Sequence, residues 1–162
     1  MINRLLNRRS LARVSSAPGK TASVNFYNLG FCRFTDLPGY GYAKISQSEQ
    51  KSWGRLVEGY FCSGRDIRLV VQIIDMRRDP MPDDLEMAGF LTAKKIPFAI
   101  AASKTDKLKR SERKKQDALL RDRFGRGALC FLPFSSVTGE GMLELRRIIR
   151  DVCKNPRKKT GQ

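Results

Sequence analysis

Histidine is absent from the 162 residues, and acidic residues number 16 against 32 lysines and arginines. Without an imidazole, His-activated nucleophiles and every His-containing zinc site are excluded. The four cysteines, Cys32, Cys62, Cys130 and Cys153, are far apart and include no CxxC pair. They read as reduced, mostly buried thiols of a cytosol-like compartment, not as a disulfide frame. Long apolar runs are lacking as well: nothing approaches the ~20 residues of a membrane span. A soluble protein with no membrane partner is therefore expected.

What is present in excess is positive charge, a formal +16. It gathers in RLLNRRSLAR (4–13), in KTDKLKRSERKK (104–115) with RDRFGR (121–126), and in KNPRKK (154–159). A solvated helix face explains any single cluster. The sum favours a polyanionic partner, nucleic acid above membrane, because cationic side chains displace the counterions of phosphates. The N-terminal MINRLLNRRSLARVSS has two readings. It is rich in Arg and Ser and free of acids, as transit peptides are. Ile2, Leu5 and Leu6 equally suit the buried face of a short helix.

Apolar runs alternate with helical periods. Strands are predicted at 23–29, 31–36, 67–75, 97–103 and 128–134. The first two, separated by Gly30, predict an antiparallel hairpin. The last three are near-continuous apolar runs, the pattern of parallel strands covered on both faces. Helices fall between them. Ser46 and Glu49 have capping-box spacing ahead of a helix that turns Trp53, Leu56, Val57, Tyr60 and Phe61 to one side and stops before Gly64. Others are predicted over 83–95 and 111–123. A last one, over 140–153, buries Met142, Leu145, Ile149 and Val152. Such alternation predicts a parallel α/β sheet, with ligands beyond the carboxyl ends of its strands. Asp36, Asp75, Ser103 and Ser135 all fall there.

Three polar loops converge on that edge. In DLPG (36–39), Asp36 can hold a magnesium ion, directly or through water, and the Gly39 amide can face a phosphate unobstructed. In SKTD (103–106), Asp106 can accept from guanine N1–H and its 2-amino group together, a donor pair that adenine does not present. The stem of Lys104 can lie along a base plane. In FSSVTGEG (134–141), amides near Ser135 and Ser136 can meet a base carbonyl. Each loop alone has an ordinary meaning as a polar turn. Their order, each after its own strand, is what makes the pattern specific.

With SSAPGKTASVNFY (15–27), DLPGYGYAK (36–44), VVQIIDMRRDPMPDD (70–84) and SKTDKL (103–108), the chain resembles the EngB GTP-binding proteins of bacterial ribosome assembly, in the Era-like branch of the Ras-like GTPases. The resemblance runs from Met1 to about Val152. It implies a Ras-like P-loop GTPase fold, α/β with a mostly parallel sheet and helices on both faces, over residues 1–153, followed by a basic tail, 154–162. It implies GTP or GDP as ligand and Mg2+ as cofactor, the metal held by Thr21 and, through water, by Asp36. The implied nucleotide-binding residues are Gly19, Lys20, Thr21, Ala22, Ser23, Asp36, Leu37, Pro38, Gly39, Ser103, Lys104, Thr105, Asp106, Phe134, Ser135 and Ser136. Tyr40 stands at the water-orienting glutamine position of Ras-like enzymes, so hydrolysis is expected to be slow. Ser103 replaces the Thr or Asn of relatives. The implied partners are ribosomal particles, the large subunit first, and their RNA. A cytoplasmic bacterial monomer is expected, with no DNA partner and a role reaching to cell division and septation.

The chain departs from this pattern in one respect: GxxxxGK[ST], the loop that cradles phosphates, is nowhere in it. The family places that loop just before a Leu-Ile-Asn helix start, and this chain opens Met1-Ile2-Asn3. The expectation is a chain shortened at its N-terminus, with the central first strand missing and residues 1–14, in register with the family, holding a helix remnant and not a transit peptide. No regular ladder should then join 31–36 to 67–75, and tight GTP binding by these residues alone is not expected. The alternative is a non-enzymatic remnant that binds RNA by charge. An ATP-using enzyme is disfavoured by Asp106.

Overall fold

Branched side chains in Val70–Asp75 and compact ones in Phe98–Ser103 suit pleated, covered surfaces, and both segments are strands. The computed structural model describes residues 1–8, 11–12, 24–39, 47–125 and 127–154, over 47–53 by backbone alone. The chain divides into two units, Ile2–Ile67 and Arg68–Gln162.

The first unit contains α1 (Ile2–Leu5), β1 (Asn25–Asn28), β2 (Arg33–Asp36) and α2 (Gln47–Cys62). Of the helix remnant expected within 1–14, residues 2–5 are helical, with Leu5 buried, while the described residues 6–8 and 11–12 are not helical. The Asn3 side chain holds both backbone groups of Ala12, at 2.7 and 2.6 Å. β1 and β2 pair antiparallel from Asn25↔Asp36 to Asn28↔Arg33. The link is longer than the single Gly30 expected, because reversing a strand takes a turn of at least two residues. Leu29 N donates to Cys32 O (2.9 Å), and Gly30 takes φ +83° with its amide on Asn28 Oδ1. In α2, Val57 is buried and Tyr60 Oη donates to Thr35 Oγ1 (2.7 Å), tying the helix to β2. Gly64 lies beyond its end at φ +71°, as expected. Ser46 and the Trp53 side chain lie outside the described residues.

The second unit runs β3 (Val70–Asp75), α3 (Pro82–Ala93), β4 (Phe98–Ser103), a 3-10 turn (Thr105–Lys107), α4 (Arg110–Phe124), β5 (Cys130–Pro133) and α5 (Met142–Lys154). The three strands are parallel in the order β3–β4–β5. β4 is central, and Phe98 to Ala102 are at most 1% exposed, so both its faces are covered. β3 departs from that expectation: Gln72 and Ile74 are buried but Ile73 is exposed, the alternation of a strand covered on one face. Gln72 Nε2 donates to Asp84 O (2.7 Å), anchoring the first turn of α3. α3 and α4 each begin on a carboxylate that turns back to a backbone amide, Asp84 to Met81 N and Glu112 to Lys109 N, both 2.9 Å. In α5, Met142, Leu145 and Ile149 are buried as their spacing predicts, and Val152 is half-buried.

Among the described residues the strands form two sheets, β1–β2 and β3–β4–β5, with no ladder between 31–36 and 67–75. No described helix is long and apolar enough to cross a membrane. Cysteine burial is less complete than expected: Cys62 is exposed, and Cys32, Cys130 and Cys153 are half-buried.

Candidate functional site

Register brings the loops of the second unit together. Asp75 is opposite Ser103, and Ala102 is opposite Pro133, so β3, β4 and β5 release their chains at one edge. The last rungs continue past the strands: Met76 N donates to Ser103 O (2.9 Å) and Phe134 N to Ala102 O (2.8 Å). Ser103 spends its hydroxyl on Ile74 O (2.8 Å), bracing β4 against β3.

Lys104 then takes the left-handed conformation, φ 66° and ψ 31°. Such a conformation is strained for a side chain with a Cβ and needs support from its surroundings. It swings the backbone into the Thr105–Lys107 turn, where Thr105 is fully buried and its amide donates to Phe134 O (3.3 Å). The opposing loop closes on itself. Ser135 Oγ accepts from the amides of Val137 and Thr138, each at 3.1 Å, and Gly139 N donates to Ser135 O (3.0 Å). Gly141 is required where it stands: at φ +73°, a Cβ there would lie 2.3 Å from Pro133 O.

The two loops meet at Asp106. Ser135, fully buried, donates from Oγ to Asp106 Oδ1 at 2.6 Å. That hydroxyl, more than any other group, holds the Asp106 carboxyl below its ordinary pKa, overcoming partial burial. Lys107 Nζ is 3.8 Å from Oδ2. Asp106 is thus an oriented carboxylate at neutral pH, an acceptor for two adjacent N–H groups. Beside it, Lys104 Nζ donates to Asp75 Oδ2 (2.9 Å), while Arg77 grips Asp75 at Oδ1 (2.9 Å) and Oδ2 (2.7 Å). The Arg77 bonds foremost, then Lys104, keep Asp75 well below the usual carboxylate range.

Of the residues predicted from sequence, Ser103, Lys104, Thr105, Asp106, Phe134 and Ser135 stand at this edge, and Ser136 is exposed on the same loop. Ser135 differs from expectation in detail. Its amide, expected to face a base carbonyl, donates to Glu140 O (3.1 Å), and its hydroxyl orients Asp106 instead. In the first unit, Asp36 closes β2 half-buried, followed by Leu37 half-buried, Pro38 buried and Gly39 exposed. Burial pushes the Asp36 carboxyl up, so a cation at this carboxylate would oppose the shift. Gly19, Lys20, Thr21, Ala22, Ser23 and Tyr40 lie outside the described residues. Three groups at the edge had no assigned role: Asp75, Arg77 and Glu140. Only Asp75 carried a signal, its place at the end of an apolar strand.

Comparison with known proteins gives the family and the fold. Residues 1–104 match a family model described as "50S ribosome-binding GTPase". The "Probable GTP-binding protein EngB" of Streptococcus mutans is 44% identical over 143 residues, which are 87% of this chain and 73% of that protein. Its counterpart in Halothermothrix orenii is 44% identical over 160 residues, 94% of this chain and 78% of its own. The chain belongs to the EngB family of GTP-binding proteins. A crystal structure of a probable GTP-binding protein engB superposes with TM-score 0.73 at 21% identity, covering 94% of this chain and 90% of its own. Translation elongation factor SelB from Methanococcus maripaludis, in its apo form, gives 0.59 at 20% identity over 82% of this chain and 28% of that one. The fold is the α/β P-loop GTPase fold that the EngB resemblance implies.

Proposed function

We propose that this EngB-family chain is a guanine-nucleotide-binding protein that selects its base through Asp106. The observation that carries this is the Ser135–Asp106 bond, which fixes an ionised carboxylate beside Lys104 at the carboxyl edge of the parallel sheet. Guanine offers N1–H and the 2-amino group to such an acceptor, and adenine offers neither in that arrangement. Selection by hydrogen bonds discriminates strongly, because a wrong ligand leaves polar groups unpaired. GTP and GDP are the proposed ligands, and slow hydrolysis of GTP is the proposed activity, with Tyr40 at the position where Ras-like enzymes keep glutamine.

Mg2+ is the proposed cofactor. Asp36 suits it, since a half-buried carboxylate with an upward-shifted pKa gains from a cation. Thr21 is assigned to the same ion by the resemblance. When bound, the ion neutralises phosphate charge. The proposed partner is the large ribosomal subunit and its RNA, supported by the net charge of +16 and by relatives of the ribosome-binding GTPase family. A cytoplasmic, monomeric protein with a role in ribosome assembly, and through it in cell division, fits this reading. A second reading is favoured by the charge alone: RNA binding without nucleotide.

Competition separates the two. Ligand-observed NMR at millimolar nucleotide measures even weak binding, and the readout is a ratio. The reading expects GTP and GDP to displace one another and ATP to displace neither. Equal competition by ATP, or no nucleotide contact at all, would favour the second reading.

A further inference from the structure

Thr105 sits between the two residues proposed to read the base, and its surroundings tie it to a distant side chain. It is fully buried, and its hydroxyl donates 2.6 Å to Glu140 Oε2, 35 residues on. Glu140 Oε1 accepts from Arg113 of α4. The Glu140 carbonyl also accepts the Ser135 amide at 3.1 Å, and its own amide donates to Thr138 Oγ1 at 3.3 Å. One residue thereby touches the Thr105 turn, the Ser135 loop and α4. A 3-10 turn of three residues has no lasting geometry of its own. Its backbone position therefore depends on its tethers: Thr105 N to Phe134 O, Thr105 Oγ1 to Glu140, and Asp106 to Ser135. The Glu140 side chain is 37% exposed, so filling a cavity is not what it contributes. A buried hydroxyl requires an acceptor, and an ionised one makes the stronger bond.

We infer that Glu140 is a positioning residue for base selection, holding the Thr105 turn so that Asp106 presents both oxygens to a guanine edge. This rests on the guanine reading of Asp106. A carboxylate turned by a few tenths of an ångström keeps one bond to N1–H but loses the paired bond to the 2-amino group. Inosine triphosphate, which has N1–H and lacks that amino group, separates the two effects.

The test is the preference for GTP over inosine triphosphate, read by competition. Glu140→Ala and Thr105→Val should each lower it about three- to tenfold. Glu140→Gln, which keeps an acceptor for Thr105, and Thr105→Ser, which keeps the donor, should stay near the parent value. On an Asp106→Ala background, Glu140→Ala should change the preference no further. A general loss of structure lowers affinity for both nucleotides alike and leaves their ratio unmoved. If Glu140→Ala fails to fold, loss with valine and recovery with serine at 105 decide the matter. An unchanged ratio in Glu140→Ala and Thr105→Val, or full additivity with Asp106→Ala, overturns the inference. If Asp106→Asn nonetheless exchanges guanine for xanthine, the guanine reading stands and only the role of Glu140 falls. If Asp106→Asn has no effect, both fall.

Discussion

Asp75 accepts three side-chain hydrogen bonds, two from Arg77 and one from Lys104. Folding lowers its pKa below the ordinary carboxylate value of ~3.9, so in the interval between the two the unfolded chain binds more protons. The stability it contributes is complete above that interval and is lost as pH falls through it. Asp75→Asn should therefore flatten the acid limb of a stability–pH profile and lower stability near neutrality by about 1 kcal/mol, a modest value because the exposed Arg77 and Lys104 are screened. Urea titrations from pH 7 downward measure this; an acid limb as steep as the parent's would remove Asp75 from the ion cluster. At this scale legibility followed sequence distance. The places of Lys104 and Asp106 at the sheet edge were readable because both lie in one short loop directly after an apolar strand. Asp75 is gripped chiefly by Arg77, two residues on, but its bond to Lys104 spans 29 positions and that of Glu140 to Thr105 spans 35, and no local pattern reveals such distant partners. The Ser135 hydroxyl was hidden for the same reason.

At the scale of elements, hydrophobic period was the reliable guide. α5 buries Leu145 completely and leaves Leu143 exposed, although the two leucines are near neighbours in sequence. Leu145→Ala should cost about 2–5 kcal/mol through lost burial and the cavity left behind. Leu143→Ala should stay within about 0.5 kcal/mol. Denaturant midpoints of the two variants test this, and similar midpoints would contradict the burial of that face. Period could not foresee that β3 is covered on one face, since Val70, Val71, Ile73 and Ile74 read as apolar whichever way they point. It also missed the length of the β1–β2 link, which depends on the Asn28 and Cys32 contacts around Gly30.

For the whole molecule, charge and base choice are the two properties open to measurement. If the +16 meets RNA phosphates, affinity for ribosomal particles should fall log-linearly with salt, because each neutralised phosphate releases counterions. Lys114 and Lys115 are exposed on α4. Reversing both to glutamate should make that slope shallower, and a salt-independent interaction would point to a protein partner. The central claim is that Asp106, oriented by Ser135, selects guanine. Asp106→Asn puts an amide donor where an acceptor stood, and xanthine carries a carbonyl where guanine carries the 2-amino group. Competition between GTP and xanthosine triphosphate, in the parent and in Asp106→Asn, measures the exchange directly. The expected result is a preference for GTP in the parent that inverts in the variant by tenfold or more, on the order of 1.5–3 kcal/mol for a charged hydrogen bond. A variant that still prefers GTP as the parent does would contradict the assignment of Asp106, and with it the guanine site.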